Sequence, residues 1–187
     1  ERRCARLVTG RPTGSGTPGT GLLDRLCGAT VHRRPAGDYR PEVFDEHVAR
    51  LRSAGRKPYF IPTGGSTPLG ALGYVNAMLE LTAQLKSQDV APTAIFVGTG
   101  SCGTHGGILA GLALADYSPN GHATRLIGVS VSGKSAEREP MVLKLANEAL
   151  SLIDVTSALN IPAAKWRELD QVGGAAYRPH TTGTVRA

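Results

Sequence analysis

The stretch Gly98-Thr99-Gly100-Ser101-Cys102-Gly103-Thr104-His105-Gly106-Gly107 has the residue types needed to hold an anion, and it directly follows the apolar run Thr93-Ala94-Ile95-Phe96-Val97. A strand that hands over to a helix through small residues lets the backbone approach a ligand closely. The first N–H groups of that helix, reinforced by its dipole, then make a site for a phosphate. Gly98, Gly100 and Gly103 satisfy Gly-x-Gly-x-x-Gly, but no acidic residue follows about 20 positions later at a strand end, where a ribose-binding unit needs one. The pattern therefore fits a mononucleotide or a phosphorylated cofactor better than a dinucleotide, and the same spacing also occurs in glycine-rich turns that bind nothing. A second phosphate pattern competes with it. Gly128-Val129-Ser130-Val131-Ser132-Gly133-Lys134-Ser135 has the Walker A spacing of an NTPase, with Asp154 after Leu152-Ile153 available as the Walker B acid. Strand-type alternation runs through Gly128, however, so the first glycine falls inside a strand rather than at the start of a phosphate-wrapping loop. This match reads as a coincidence of spacing.

Other chemistry is sparse. Cys4, Cys27 and Cys102 are odd in number and form no metal-ligand pair, so neither a disulfide framework nor a metal site is expected, and a reducing cytoplasm fits. His32, His47, His105, His122 and His180 are scattered, without the i, i+4 spacing that gathers ligands on one helix face. The net charge of +6 is concentrated early: Lys and Arg outnumber Asp and Glu by 12 to 6 up to Pro58 and balance 9 to 9 beyond it. With no interleaved aromatics and no nucleic-acid module, this excess reads as an arginine-rich solvated surface, and no nucleic-acid partner is expected. No run of about 18 apolar residues and no signal peptide occurs, so a soluble protein without membrane contact is expected.

The elements that must position the glycine turn alternate in type. Residues 5–8, 30–32, 59–61, 94–97 and 126–131 read as strands. Helices are expected from near Pro41-Glu42, with Val43, Val48 and Leu51 on one face, over residues 69–85, over 104–114, and over 136–153, where Met141, Leu145 and Leu152 would face the core. The stretch from Thr9 to Gly21 is too rich in Gly, Pro and Thr for regular structure and reads as a loop. This alternation predicts an α/β fold with an open, mostly parallel sheet flanked by helices, whose ligands bind at the carboxyl ends of the strands. With 187 residues, 41% of them hydrophobic, the chain can bury a real core.

Several segments taken together carry more information than any single glycine pattern. Ile61-Pro62-Thr63-Gly64-Gly65-Ser66-Thr67-Pro68-Leu69-Gly70, then Gly100-Ser101-Cys102-Gly103-Thr104-His105-Gly106-Gly107, then Leu126-Ile127-Gly128-Val129-Ser130, resemble in order and spacing the D-cysteine desulfhydrase and 1-aminocyclopropane-1-carboxylate deaminase family. Gly21-Leu22-Leu23-Asp24-Arg25-Leu26-Cys27-Gly28-Ala29 and Gly173-Gly174-Ala175-Ala176-Tyr177 extend the resemblance over nearly all of the chain. The Ser-x-Gly-Thr-His-x-Gly form of the loop and the Pro-x-Gly-Gly-Ser segment are similar to the desulfhydrase branch, whereas the deaminase branch typically has Thr-Gly-Ser-Thr-Gln.

The resemblance implies a pyridoxal-phosphate enzyme of the tryptophan-synthase-β fold type, fold type II. In that pattern, residues 1–58 would be the remainder of a smaller domain and 59–187 part of a larger cofactor-binding one. The backbone N–H groups of Ser101, Cys102, Gly103 and Thr104, with the hydroxyls of Ser101 and Thr104, would hold the cofactor phosphate. Gly64, Gly65 and Ser66 would line the cofactor's edge, and Tyr177 would match a catalytic tyrosine near the substrate, although Arg178-Pro179-His180 departs from the family's Gly-x-Pro. The family's cofactor-attaching lysine lies in a Gly-Asn-Lys segment that this sequence does not contain. None of Lys57, Lys86, Lys134, Lys144 and Lys165 follows an asparagine, so the chain reads as the middle of a longer enzyme, incomplete at both ends and with little lyase activity alone. For the intact relative the resemblance implies conversion of D-cysteine and water to pyruvate, sulfide and ammonia, in a cytoplasmic, homodimeric enzyme. Deamination of the cyclopropane amino acid and a non-catalytic phosphate-binding remnant are the alternatives, alongside the NTPase suggested by Lys134.

Overall fold

A computed structural model of the chain describes residues 4–9, 20–35, 40–117, 119, 124–131, 133–155 and 166–169. The chain divides into two compact units, Glu1–Phe60 and Ile61–Ala187.

In the first unit, strands β1 (Ala5–Thr9) and β2 (Thr30–Arg34) pair in parallel, Ala5 opposite Thr30 and Thr9 opposite Arg34. Parallel neighbours need a crossover, and helix α1 (Thr20–Leu26) lies in it, tied back to β1 by the Arg6–Asp24 ion pair. The expected loop is thus shorter at both ends than composition indicated: Thr9 ends β1, while Thr20 and Gly21 open α1. Helix α2 (Pro41–Ser53) starts at its proline, whose fixed φ and missing donor suit a first helical position.

The expected strand at 59–61 does not form. Tyr59, Phe60 and Ile61 have β-type side chains, but they stand between Pro58 and Pro62, which donate no backbone hydrogen bond, and Tyr59 is 74% exposed.

The second unit holds a parallel sheet in the order β3 (Ala94–Thr99), β4 (Arg125–Ser130), β5 (Trp166–Leu169), with Ile95 opposite Leu126 and Leu126 opposite Trp166. No strand is expected at β5, which has only 4 residues. Helices α3 (Pro68–Ser87), α4 (Gly103–Ala115) and α5 (Ser135–Ser151) complete the unit. The start of α3 is specified locally: Thr67 is its N-cap, accepting the Gly70 N–H at 3.0 Å, and Pro68 is its first residue. Its inner face is Ala71, Val75, Met78 and Thr82, spaced i, i+4, i+7, i+11.

Helix α4 is wedged between α3 and α5 and is apolar around most of its surface, as a helix covered on several sides must be. Glycine permits the close approach to α3. A methyl group on Gly107 would run into the Ala71 carbonyl oxygen and come within 2.6 Å of Tyr74 Cβ, and one on Gly111 would lie 2.6 Å from Met78 Cβ. Val75, Cys102, Leu109, Ala110, Leu126, Val142, Leu145, Ala146, Leu150 and Trp166 form one core.

The inward face of α5 differs from the expected one. Leu145 is buried, but Met141 is 44% and Leu152 55% exposed, and the core is filled by Val142, Leu145, Ala146, Ala149 and Leu150. The steps 142, 145, 146, 149, 150 follow the helical period; Met141 is about 110° out of phase with that face, and Leu152 lies past the end of α5 as its C-cap.

Candidate functional site

The β3–α4 turn ends a central path of the second unit: β3 stops at Thr99 and α4 begins at Gly103. Cys102, the N-cap of α4, adopts a left-handed backbone (φ 68°), unusual for a residue with a side chain. The helix's own bonding is entered with the Gly106 N–H donated to the Cys102 carbonyl at 2.8 Å, and the first N–H groups of a helix lie ahead of its i to i−4 ladder. Gly98, Thr99, Gly100, Ser101, Cys102, Thr104, His105 and Val131 line a hollow of about 360 Å³ at this helix start. Its lining offers backbone amides, the hydroxyls of Thr99, Ser101 and Thr104, and no lysine or arginine.

Most of the expected site residues meet here, with different parts. Ser101, Cys102 and Thr104 line the hollow. Gly103 lies behind it and donates its N–H to Ser66 Oγ at 3.2 Å. The short 3-10 turn Thr63–Gly65 brings Gly64 and Ser66 to the back of the loop rather than into the hollow. Gly64 has a positive φ of 74° and sits so close to Ser101 that a methyl group there would collide with Ser101 Oγ. A methyl group on Gly103 would lie 2.6 Å from Ser66 Oγ. Gly65 also has a positive φ, and its carbonyl accepts the Thr67 N–H at 2.8 Å. Tyr177 lies outside the described residues, as does Ser132.

Thr99 and His105 belong to the site, although the sequence did not single them out. Thr99 is 1% exposed and His105 wholly buried, and Thr99 Oγ1 and His105 Nδ1 are hydrogen-bonded at 3.0 Å. The His105 ring stands edge-on to Trp166, centroids 5.7 Å apart. Burial lowers the imidazole from its ordinary 6.5 to about 4, so the ring is neutral near pH 7. The available signal was local: a threonine at a strand's last position and a histidine six residues on, in the first turn of an otherwise apolar helix.

Among the described residues the Walker-like pattern forms no such cup. Gly128 is mid-strand in β4, paired with Val97 on one side and Glu168 on the other, and Lys134 precedes α5 on an exposed turn. No helix among the described residues is long and apolar enough to cross a membrane.

The donor set fits a phosphate monoester: backbone amides at a helix start, three hydroxyls, and a volume in the range small ligands occupy. A neutral His105 adds no charge.

Comparisons with known proteins agree with this chemistry. The sequence pattern of the pyridoxal-phosphate dependent enzyme family matches residues 11–187. D-cysteine desulfhydrase of Yersinia enterocolitica is 40% identical over 112 residues, covering 60% of this chain and 32% of that protein. D-cysteine desulfhydrase of Klebsiella pneumoniae (strain 342) is 34% identical over 163 residues, covering 84% of this chain and 48% of that protein. A crystal structure described as an ACC deaminase homologue superimposes with a TM-score of 0.67 at 27% identity, over 90% of this chain and 49% of the other. The chain spans a third to a half of the length of these relatives. With the parallel sheet, the glycine cup at its carboxyl end and the match over residues 11–187, the chain belongs to the pyridoxal-phosphate-dependent enzyme family.

Proposed function

We propose that this chain is part of a lyase of D-cysteine desulfhydrase type, which converts a small D-amino acid bearing a β-thiol, with water, to pyruvate, sulfide and ammonia. The observation that carries the reading is the β3–α4 turn, a helix start with hydroxyls on both sides and no fixed cation. In this reading the amides of Ser101, Cys102, Gly103 and Thr104 and the hydroxyls of Ser101 and Thr104 hold the phosphate. The helix dipole supplies the favourable charge. Ser66 and Gly64 brace the loop from behind, and the Gly103 amide either keeps its bond to Ser66 or turns to the phosphate. Pyridoxal phosphate, when bound, supplies an electron sink for the substrate's α-carbon. The chain's own contribution is to fix that group's position and to close one side of its site against water with the α3–α4–α5 core.

In the same reading, Tyr177 packs near the substrate, residues 1–58 belong to a smaller domain and 59–187 to the cofactor-binding one. The cysteines Cys4, Cys27 and Cys102 are all thiols, which supports a reducing, cytoplasmic setting.

The ACC deaminase homologue among the structural relatives favours a second substrate, the cyclopropane amino acid. The two are separated by assaying the longer enzyme of which this chain is proposed to be part, supplied with pyridoxal phosphate, against each amino acid. Sulfide and pyruvate from D-cysteine are expected. Ammonia and 2-oxobutanoate from the cyclopropane substrate, with no sulfide from D-cysteine, would transfer the assignment to the deaminase.

A further inference from the structure

The ends of the phosphate loop are joined by a buried side-chain bond between two residues that also line the hollow. Thr99 is the last residue of β3 and His105 the third of α4; the loop Gly100-Ser101-Cys102-Gly103-Thr104 lies between them. Each end is anchored independently. The Thr99 carbonyl accepts the Val131 N–H at 2.9 Å, and Thr99 faces Ser130 across the sheet. The His105 ring stands edge-on to Trp166, which β5 holds opposite Leu126. The bond between Thr99 Oγ1 and His105 Nδ1, 3.0 Å, therefore connects points fixed by all three strands of the sheet.

We infer that His105 is a positioning residue for the phosphate loop, and that its bond to Thr99 sets the loop in its binding shape before the phosphate arrives.

A loop containing Gly100 and Gly103 has many accessible conformations, and Cys102 must additionally hold a left-handed backbone. Ordering lost during binding subtracts from affinity, whereas ordering built into the fold does not. Histidine suits this place better than a charged residue. Protonation would put a positive charge beside the helix N-terminus inside the core, which burial and the dipole both oppose. The imidazole remains neutral, and one ring nitrogen serves the threonine. Thr99 can donate or accept, so this bond forms in either tautomer.

This inference rests on the phosphate-binding reading of the turn, and the test separates the two. The probe is pyridoxine 5′-phosphate, which has ring and phosphate but no aldehyde to react with surface lysines; pyridoxine without phosphate is the control. Affinities are measured by calorimetry for the wild-type chain, Thr99→Val, His105→Leu, His105→Asn and the Thr99→Val/His105→Leu pair, with urea unfolding of each. Thr99→Val and His105→Leu should each weaken phosphate-ester binding about tenfold, and the pair no further, because they remove the same bond. His105→Asn, which keeps a nitrogen near the Nδ1 position, should recover most of the affinity despite its lost volume. A role limited to packing would show instead as a stability loss in His105→Asn with affinity unchanged throughout. Unchanged affinity in Thr99→Val, which preserves shape, or losses that multiply in the pair, overturns the inference. A wild-type chain that binds the phosphate ester no better than pyridoxine overturns the reading beneath it and the inference with it.

Discussion

Two strand-to-helix turns leave neighbouring parallel strands of the second unit, both carry a phosphate-type glycine pattern, and only one is built to use it. The last strand residues, Thr99 and Ser130, are register partners, and each turns its hydroxyl into its own turn, Thr99 to His105 and Ser130 donating to the Gly133 carbonyl at 2.9 Å. Beyond that the turns diverge. At the β3–α4 turn Gly98 is the next-to-last residue of β3 and Gly100 and Gly103 follow the strand, Cys102 and His105 are buried, and a hollow faces the helix start. At the β4–α5 turn, Gly128 is consumed by the strand, and the space over Gly133 is filled by Arg138, whose Nη2 lies 2.6 Å from where a methyl group would stand. Both patterns count residues correctly. A cup additionally needs the strand to have ended and the first helical amides to face open space, and spacing alone encodes neither.

The largest expected difference between the turns is steric. Gly107→Ala in α4 forces a methyl group onto the backbone of α3 and should cost about 3 kcal/mol, as overpacking against a fixed backbone does. Gly133→Ala has a positive φ of 79° to oppose but only flexible side chains to displace, and should cost about 1 kcal/mol. Urea midpoints of the two variants measure this directly, and equal losses would erase the contrast.

A smaller effect separates the two hydroxyl anchors by pH. His105 has its folded value depressed to about 4 from 6.5, so the unfolded chain binds a proton that the folded chain refuses. Its contribution is complete above pH 6.5 and is lost as pH falls toward 4. Between pH 7 and 5 this amounts to about 2 kcal/mol, absent in His105→Asn. The Ser130–Gly133 bond has no titrating partner. Ser130→Ala should therefore leave the slope of stability against pH unchanged; a wild-type slope that persists in His105→Asn would contradict the assignment.

Much of this was legible in the sequence because local rules and tertiary packing agree. Helices α2 to α5 and strands β1 to β4 lie where apolar period and proline placement put them, and the glycine turn stands at the junction predicted for it. The failures have physical causes. Residues 59–61 have strand-forming side chains but neighbouring prolines and no strand among the described residues to pair with, and β5 is too short for its alternation to stand out. Met141 and Leu152 are apolar yet face outward, since helical phase is set by Val142, Leu145, Ala146 and Leu150. At the site, residue types revealed the cup. The bracing of Gly103 by Ser66 and the Thr99–His105 bond depend on how distant segments fold together, across 37 positions in the first case.

The most direct test of which turn is the cup is an amide NMR titration of the chain with pyridoxine 5′-phosphate. Saturable shifts at Ser101, Cys102, Gly103 and Thr104, with Gly133, Lys134 and Ser135 unmoved, are the predicted result. Shifts centred on Gly133–Ser135, or none in either turn, would contradict it.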